Sequence, residues 1–200
     1  MARVRSIFIL ICLMTTALPN GRAERPIPAP SNGVGTPSLC DFDSLPPDIR
    51  SRLKTDFSSW KIQEPKDLSE YTRKTWVGRK PSMCPGIAVG LFQSAKTASY
   101  AFLLVRREHP DAGYRFTVFT PNTGQPTYGV VRVEQSDSPG ASNYFIRKVP
   151  ASQFFSSESK KKFHLEAGDC TLMVDSAEQE YGTDIYFWAN GRYQHEPVDD

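Results

Sequence analysis

From Gly86 to Val149 the chain repeats one pattern: a short apolar run, a turn, then another short apolar run. The runs are Gly86 to Phe92, Ser99 to Val105, Tyr114 to Phe119, Tyr128 to Val133 and Asn143 to Val149. Asp111-Ala112-Gly113, Asn122-Thr123-Gly124 and Ser138-Pro139-Gly140 punctuate them. A parallel pair of strands needs a crossover of about a dozen residues or more, usually a helix. These connectors have no room for one, so the runs must pair antiparallel. Ser99 to Val105 is apolar on both alternating sets, which marks a central strand covered on both faces.

Thr171 to Val174, Ile185 to Trp188 and Arg192 to His195 continue the series. Asn190-Gly191 between the last two is the strongest hairpin signal in the chain. Residues 151–168 interrupt the strands, with a short helix expected over Gln153 to Phe163. Two helices are expected upstream. Pro46 and Pro47 suit a first helical turn, and Ile49, Leu53 and Phe57 recur on one face before Trp60 closes the segment. A second helix is expected after Pro65, with Leu68, Tyr71 and Thr75 as its inner stripe, Trp76 near its end and Gly78 as its stop. The fold class expected is α+β: a mostly antiparallel meander sheet of six to eight strands, with the two N-terminal helices packed on one face.

The first residues carry the features of an export signal in order. Arg3 and Arg5 make a basic start, Ile7 to Leu18 is apolar but for Thr15 and Thr16, and Gly21-Arg22-Ala23 offers small residues to a signal peptidase. Cleavage is expected after Ala23, with a cut after Ala17 as the alternative. The apolar run is shorter than the roughly 20 residues of a membrane span, so no membrane insertion is expected once it is cut. Cys12 follows the bulky Ile11, which argues against lipidation. Residues 24–39, with Pro26, Pro28, Pro30, Pro37, Gly33 and Gly35, read as a flexible tether. Residues 40–200 read as a single domain.

Charge narrows the partners. Residues 1–23 hold Arg3, Arg5 and Arg22 and no acid, so the remainder carries 21 basic against 22 acidic side chains, a net of −1. So balanced a body has no broad electrostatic footprint for nucleic acid. Cys40, Cys84 and Cys170 remain after cleavage; in an oxidising compartment two of them pair. Cys40–Cys84 is favoured because the two flank the helical segment, with Cys170 as a small buried apolar residue; the other pairings stay open.

Catalytic spacing is scarce. His109, His164 and His195 lie far apart, and no Cys-x-x-Cys, His-x-x-x-His or calcium-loop pattern occurs. Neither phosphate-loop fingerprint is present, nor a Gly-x-Ser-x-Gly turn. No metal and no cofactor are expected. Cys84 with a histidine, or a carboxylate pair such as Asp41/Asp43, Glu178/Glu180 or Asp199/Asp200, would be needed for a hydrolase. Lys160-Lys161-Lys162 reads as a solvated face. Tyr186 and Trp188 share one face of a strand and Tyr193 lies across the hairpin; core packing is the ordinary explanation, and an aromatic binding patch is the functional one. The expected role is a secreted or periplasmic binding module, an inhibitor or immunity-type protein for another protein or envelope macromolecule. An extracytoplasmic hydrolase is the alternative.

Overall fold

Ser99–Arg106 is the most deeply packed strand, and its composition dictates its place. Ala101 to Val105 are all buried, so both faces of the strand need cover. The computed structural model describes residues 40–78, 84–165, 167–177 and 180–198; the expected signal segment and tether lie outside them. Among these residues nine strands form two antiparallel sheets. The first holds β1 (Trp60–Ile62), β2 (Ile87–Gly90), β3 (Ser99–Arg106), β4 (Tyr114–Pro121) and β5 (Tyr128–Ser136), with β1 and β2 both pairing with β3. The second runs β6 (Tyr144–Pro150), β7 (Asp169–Ala177), β8 (Glu180–Ala189) and β9 (Arg192–Pro197).

The α+β, antiparallel expectation stands, but the strands divide between two sheets. They pack face to face over Leu103, Val105, Phe116 and Val118 from one and Ile146, Met173 and Tyr186 from the other. Burying each of the larger side chains contributes about 2–3 kcal/mol. The outer face of the first sheet is covered by α1 (Pro47–Thr55), whose Ile49 and Leu53 join Phe57, Phe102, Leu104 and Phe119. The outer face of the second is covered by α2 (Glu70–Gly78), through Trp76 against Phe145 and Val174. The segment with α3 (Ser157–Lys162) covers the rest, placing Phe155 and Phe163 on Phe187. The two N-terminal helices therefore cover different sheets.

Three local expectations need correction. Trp60 does not end a helix. The helix stops at Thr55 and Trp60 opens β1 opposite Arg106. The buried residues of the second helix are Thr72 and Trp76, in line with Leu68 just ahead of it and one position out of phase with the expected Tyr71 and Thr75. The third helix starts at Ser157, where Ser156 caps it by accepting from the Ser159 N–H, rather than at Gln153.

The turns follow their chemistry. Asn190 and Gly191 have φ of 52° and 74°, the left-handed pair that a two-residue hairpin requires. At Gly86 the backbone passes so close to Gln63 that a Cβ would stand 2.7 Å from the Gln63 nitrogen and oxygen, which only glycine permits. Between β5 and β6 the chain is pinned by Asp111, which accepts from the Ser142 N–H (3.0 Å) and hydroxyl (2.7 Å). Partial burial opposes the charge on Asp111, but the Ser142 and Gly140 hydrogen bonds outweigh it and hold the carboxyl below its ordinary pKa. A lowered pKa means this stabilisation is present above the ordinary carboxylate range and lost as pH falls through the folded value. Asp111→Ala is expected to cost about 1 kcal/mol at neutral pH. Urea unfolding at pH 7 and at pH 3 checks this; the difference between the proteins should shrink in acid.

Candidate functional site

The aromatic residues near the chain end do come together, facing inward. On the inner face of the second sheet Tyr186 pairs with His195 and Trp188 with Tyr193. Tyr186 is only 3% exposed. It stacks on His195 with ring centroids 5.5 Å apart and meets Phe116 edge-on. Trp188 and Tyr193 are half-buried and pack edge to face. Burial raises the pKa of the Tyr193 hydroxyl, which lies by the Gln93 amide. Among the described residues the large apolar side chains left exposed are Val77 and Val89, so this cluster offers no open aromatic face.

Its polar centre is Glu134. A bulge in β5 between the partners of Phe116 and Thr117 turns Glu134 into the space between the sheets. There its two carboxylate oxygens accept from the hydroxyls of Tyr114 and Tyr186. Glu134 and Tyr114 belong to the first sheet and Tyr186 to the second, so the carboxylate clasps the sandwich at its β5–β9 side. Desolvation, helped by the Glu134 hydrogen bond, pushes the Tyr114 phenol well up from its ordinary range. Tyr144 is pushed up to about 12, by desolvation first and then by Asp175. A cavity of about 200 Å³ opens here, lined by Val133, Glu134, Tyr186, Tyr193, Gln194 and His195.

A second concavity lies where α1 meets β1. It is a groove of about 440 Å³, within the 300–1,000 Å³ range of ligand sites. Its apolar surface comes from Leu53, Ile62 and Leu104, with Phe42 and Trp60 as aromatic walls. Each wall is held by charge. The Lys54 ammonium lies 5.4 Å from the centre of the Phe42 ring. The guanidinium groups of Arg106 and Arg115 each lie 4.3 Å from the centre of the Trp60 ring. Asp137 joins those two arginines at 3.1 and 2.8 Å; the Arg115 hydrogen bond first, and then both cationic charges, hold its carboxyl below the ordinary range.

Lys54, Lys61, Lys66 and Arg107 line the same groove, against Glu64 as its acid. Lys61 is tied to Asp67 at 2.7 Å and Lys66 to Glu64 at 2.6 Å. Among the described residues Lys54 and Arg107 have no carboxylate partner; Arg107 donates from Nε to the Ser58 carbonyl at 2.8 Å. Arg107 also lines an adjoining polar hollow with Ser58, Ser59, Glu108 and His109.

Cys40 and Cys84 are joined in a disulfide, and Cys170 is free and buried. Cys40 lines the groove, two residues from Phe42. The bond removes Cys84 as a thiol nucleophile. Burial pushes the Cys170 thiol up to about 12, which makes it inert at neutral pH. Asp41 accepts from the Asp43 N–H and Asp43 pairs with Arg50, both on the surface. Glu178, Asp199 and Asp200 lie outside the described residues. His109, His164 and His195 are exposed and dispersed. Among the described residues no three metal-ligating side chains gather at a point, and no helix is long and apolar enough to cross a membrane.

Two features have no clear mark in the sequence. Glu134 follows a run that ends naturally at Val133, and only the bulge brings it inside. The groove draws its cations from separate stretches, so no basic run announces it. Compared with known proteins, the chain matches no family model, no curated protein and no solved structure.

Proposed function

We propose that this chain is an exported, non-enzymatic binding module of the secreted or periplasmic space, which recognises another protein or envelope macromolecule through the groove between α1 and β1. The observation that carries this reading is the groove itself, an apolar floor with two fixed aromatic walls and a surplus of cations. Aromatic side chains in preformed concavities dominate recognition energetics, and walls fixed before binding lose little entropy on association. Export is supported by the basic-apolar-small order of residues 1–23 and by the Cys40–Cys84 bond, which an oxidising compartment favours.

The hydrolase alternative keeps one specific observation, Glu134 and His195 lining one cavity. It is the weaker reading, because both Glu134 oxygens already accept hydrogen bonds from the Tyr114 and Tyr186 hydroxyls, which engages them within the fold and away from a substrate. A photo-reactive phenylalanine analogue tests the choice. Placed at position 42 in the full chain in its own host, it is expected to give a discrete adduct that the same analogue at Val89 does not give. Trp60→Ala should abolish it. The same adducts from both positions, or none from position 42, would remove the groove as the recognition surface.

A further inference from the structure

We infer that the partner's contact is an acidic polypeptide segment that inserts a large apolar side chain between Phe42 and Trp60; this rests on the groove being the recognition surface. The inference starts from charge balance. Outside residues 1–23 the chain carries a net of −1, so the groove is a local departure from a nearly neutral body. Its internal acid is spent. Glu64 lies 2.6 Å from Lys66 and 4.0 Å from Lys61, and Asp67 takes the remaining interaction of Lys61. Among the described residues Lys54 and Arg107 are left as the groove cations at the rim without a carboxylate partner.

Such a rim repels a basic segment and attracts a carboxylate, and charge complementarity of this kind sets specificity and association rate. The floor asks for something different. Leu53, Ile62 and Leu104 are already buried and offer no polar atom, while the half-buried rings of Phe42 and Trp60 keep apolar surface at the groove, which a purely polar anion would leave without a partner. A segment with carboxylates on either side of an aromatic or large aliphatic residue satisfies rim and floor together. Edge pairing is the other way a sheet takes a peptide, and it fits less well here. β1 is only three residues long, too short to hold a strand by its backbone, so side chains must carry the recognition.

The test uses the full chain and a short fluorescent peptide with Asp-Glu-Phe-Leu-Glu-Asp at its centre. Its comparison peptides are the Asn/Gln version and one with alanines for Phe and Leu. The acidic peptide is expected to bind at least about tenfold tighter than either. Raising salt from about 0.05 M to about 0.5 M should weaken it by a further factor of about ten, because exposed charges are screened. Lys54→Glu with Arg107→Glu should abolish its binding, while Lys161→Glu with Lys162→Glu, a reversal of the same size on α3, should leave it unchanged. Lys54 and Arg107 sit on the exposed rim, and circular dichroism confirms that the reversed protein is folded. Equal binding of the acid and amide peptides, or survival of binding after the groove reversal, overturns the acidic partner. The cross-link at position 42 reads separately: if it persists with the same partner through the charge reversal, the groove remains the recognition surface and the acidic segment alone falls.

Discussion

Replacing Cys40 and Cys84 together by serine is expected to lower the stability by about 4 kcal/mol, from the loop-closure entropy of a cross-link spanning 44 residues. That loop contains α1, β1 and α2, so the bond ties the cover of the first sheet to the strand that enters it. Urea unfolding of the two proteins measures the loss. A midpoint displaced by less than the equivalent of about 1 kcal/mol would show that the unfolded chain is already ordered across this loop. Cys170→Ser is the contrasting change. It places a hydroxyl in the apolar cluster of Leu172, Ile185 and Phe187 and is expected to cost about 1–3 kcal/mol through an unsatisfied group, not through lost connectivity.

A second large effect is expected in alkali. A phenol whose pKa is raised by folding holds its proton more tightly in the fold, so its stabilisation is present below about pH 10 and lost as pH rises through the folded value. Tyr114 and Tyr193 are both raised, each by desolvation first. Each removes about 1.4 kcal/mol per pH unit once the unfolded chain ionises, so together they remove about 5 kcal/mol by about pH 12. Tyr144, raised to about 12, adds a smaller amount because solvent screens it. Unfolding is therefore expected to be steep between about pH 10 and 12, with phenolate absorbance rising together with loss of sheet signal. Ionisation of all eight tyrosines while the sheet signal is still intact would refute this. Glu134→Gln should cost about 2 kcal/mol at neutral pH by leaving one phenol without its acceptor, and it should also move the alkaline transition by removing a charge that opposes Tyr114 ionisation.

The strands are legible because alternation and turn chemistry are local. Each of the eight runs read from the sequence overlaps a strand, with Gly86, Leu91, Phe92 and Asn143 falling just outside, and Asn190-Gly191 makes the hairpin it promises. β1 is not legible. Three residues are too few to show a period, and Trp60 follows Phe57 at a helical spacing. The division into two sheets also escapes, because Ser138-Pro139-Gly140 announces a turn without saying whether the next strand pairs with the last. The α2 stripe slips by one position because tertiary contacts decide it: Trp76 packs on Phe145 and Val174, and the buried Thr72 hydroxyl bonds to Ser69 and the Ser176 carbonyl. At the sites, the Cys40–Cys84 pair is legible because the two residues flank the helical segment. Glu134 does not, since reading polar residues outward fails wherever a bulge shifts the alternation. The groove is an assembly of Phe42, Lys54, Trp60 and Arg107 from separate elements, and such an assembly exists only after folding.

The clasp at Glu134 bears on how this body behaves in a crowd. β5 and β9 are the outermost strands at that side of the sandwich, and each could continue a ladder into a neighbouring molecule. A kinked β5 with a carboxylate turned inward, and a β9 carrying Arg192, Glu196 and Pro197, make both rims poor templates for an incoming strand. β5 meets the second sheet through the Tyr186 phenol of β8 and not through backbone hydrogen bonds, so the ladder on that side stops at β5. On that side, strand pairing of one copy onto another is thereby disfavoured.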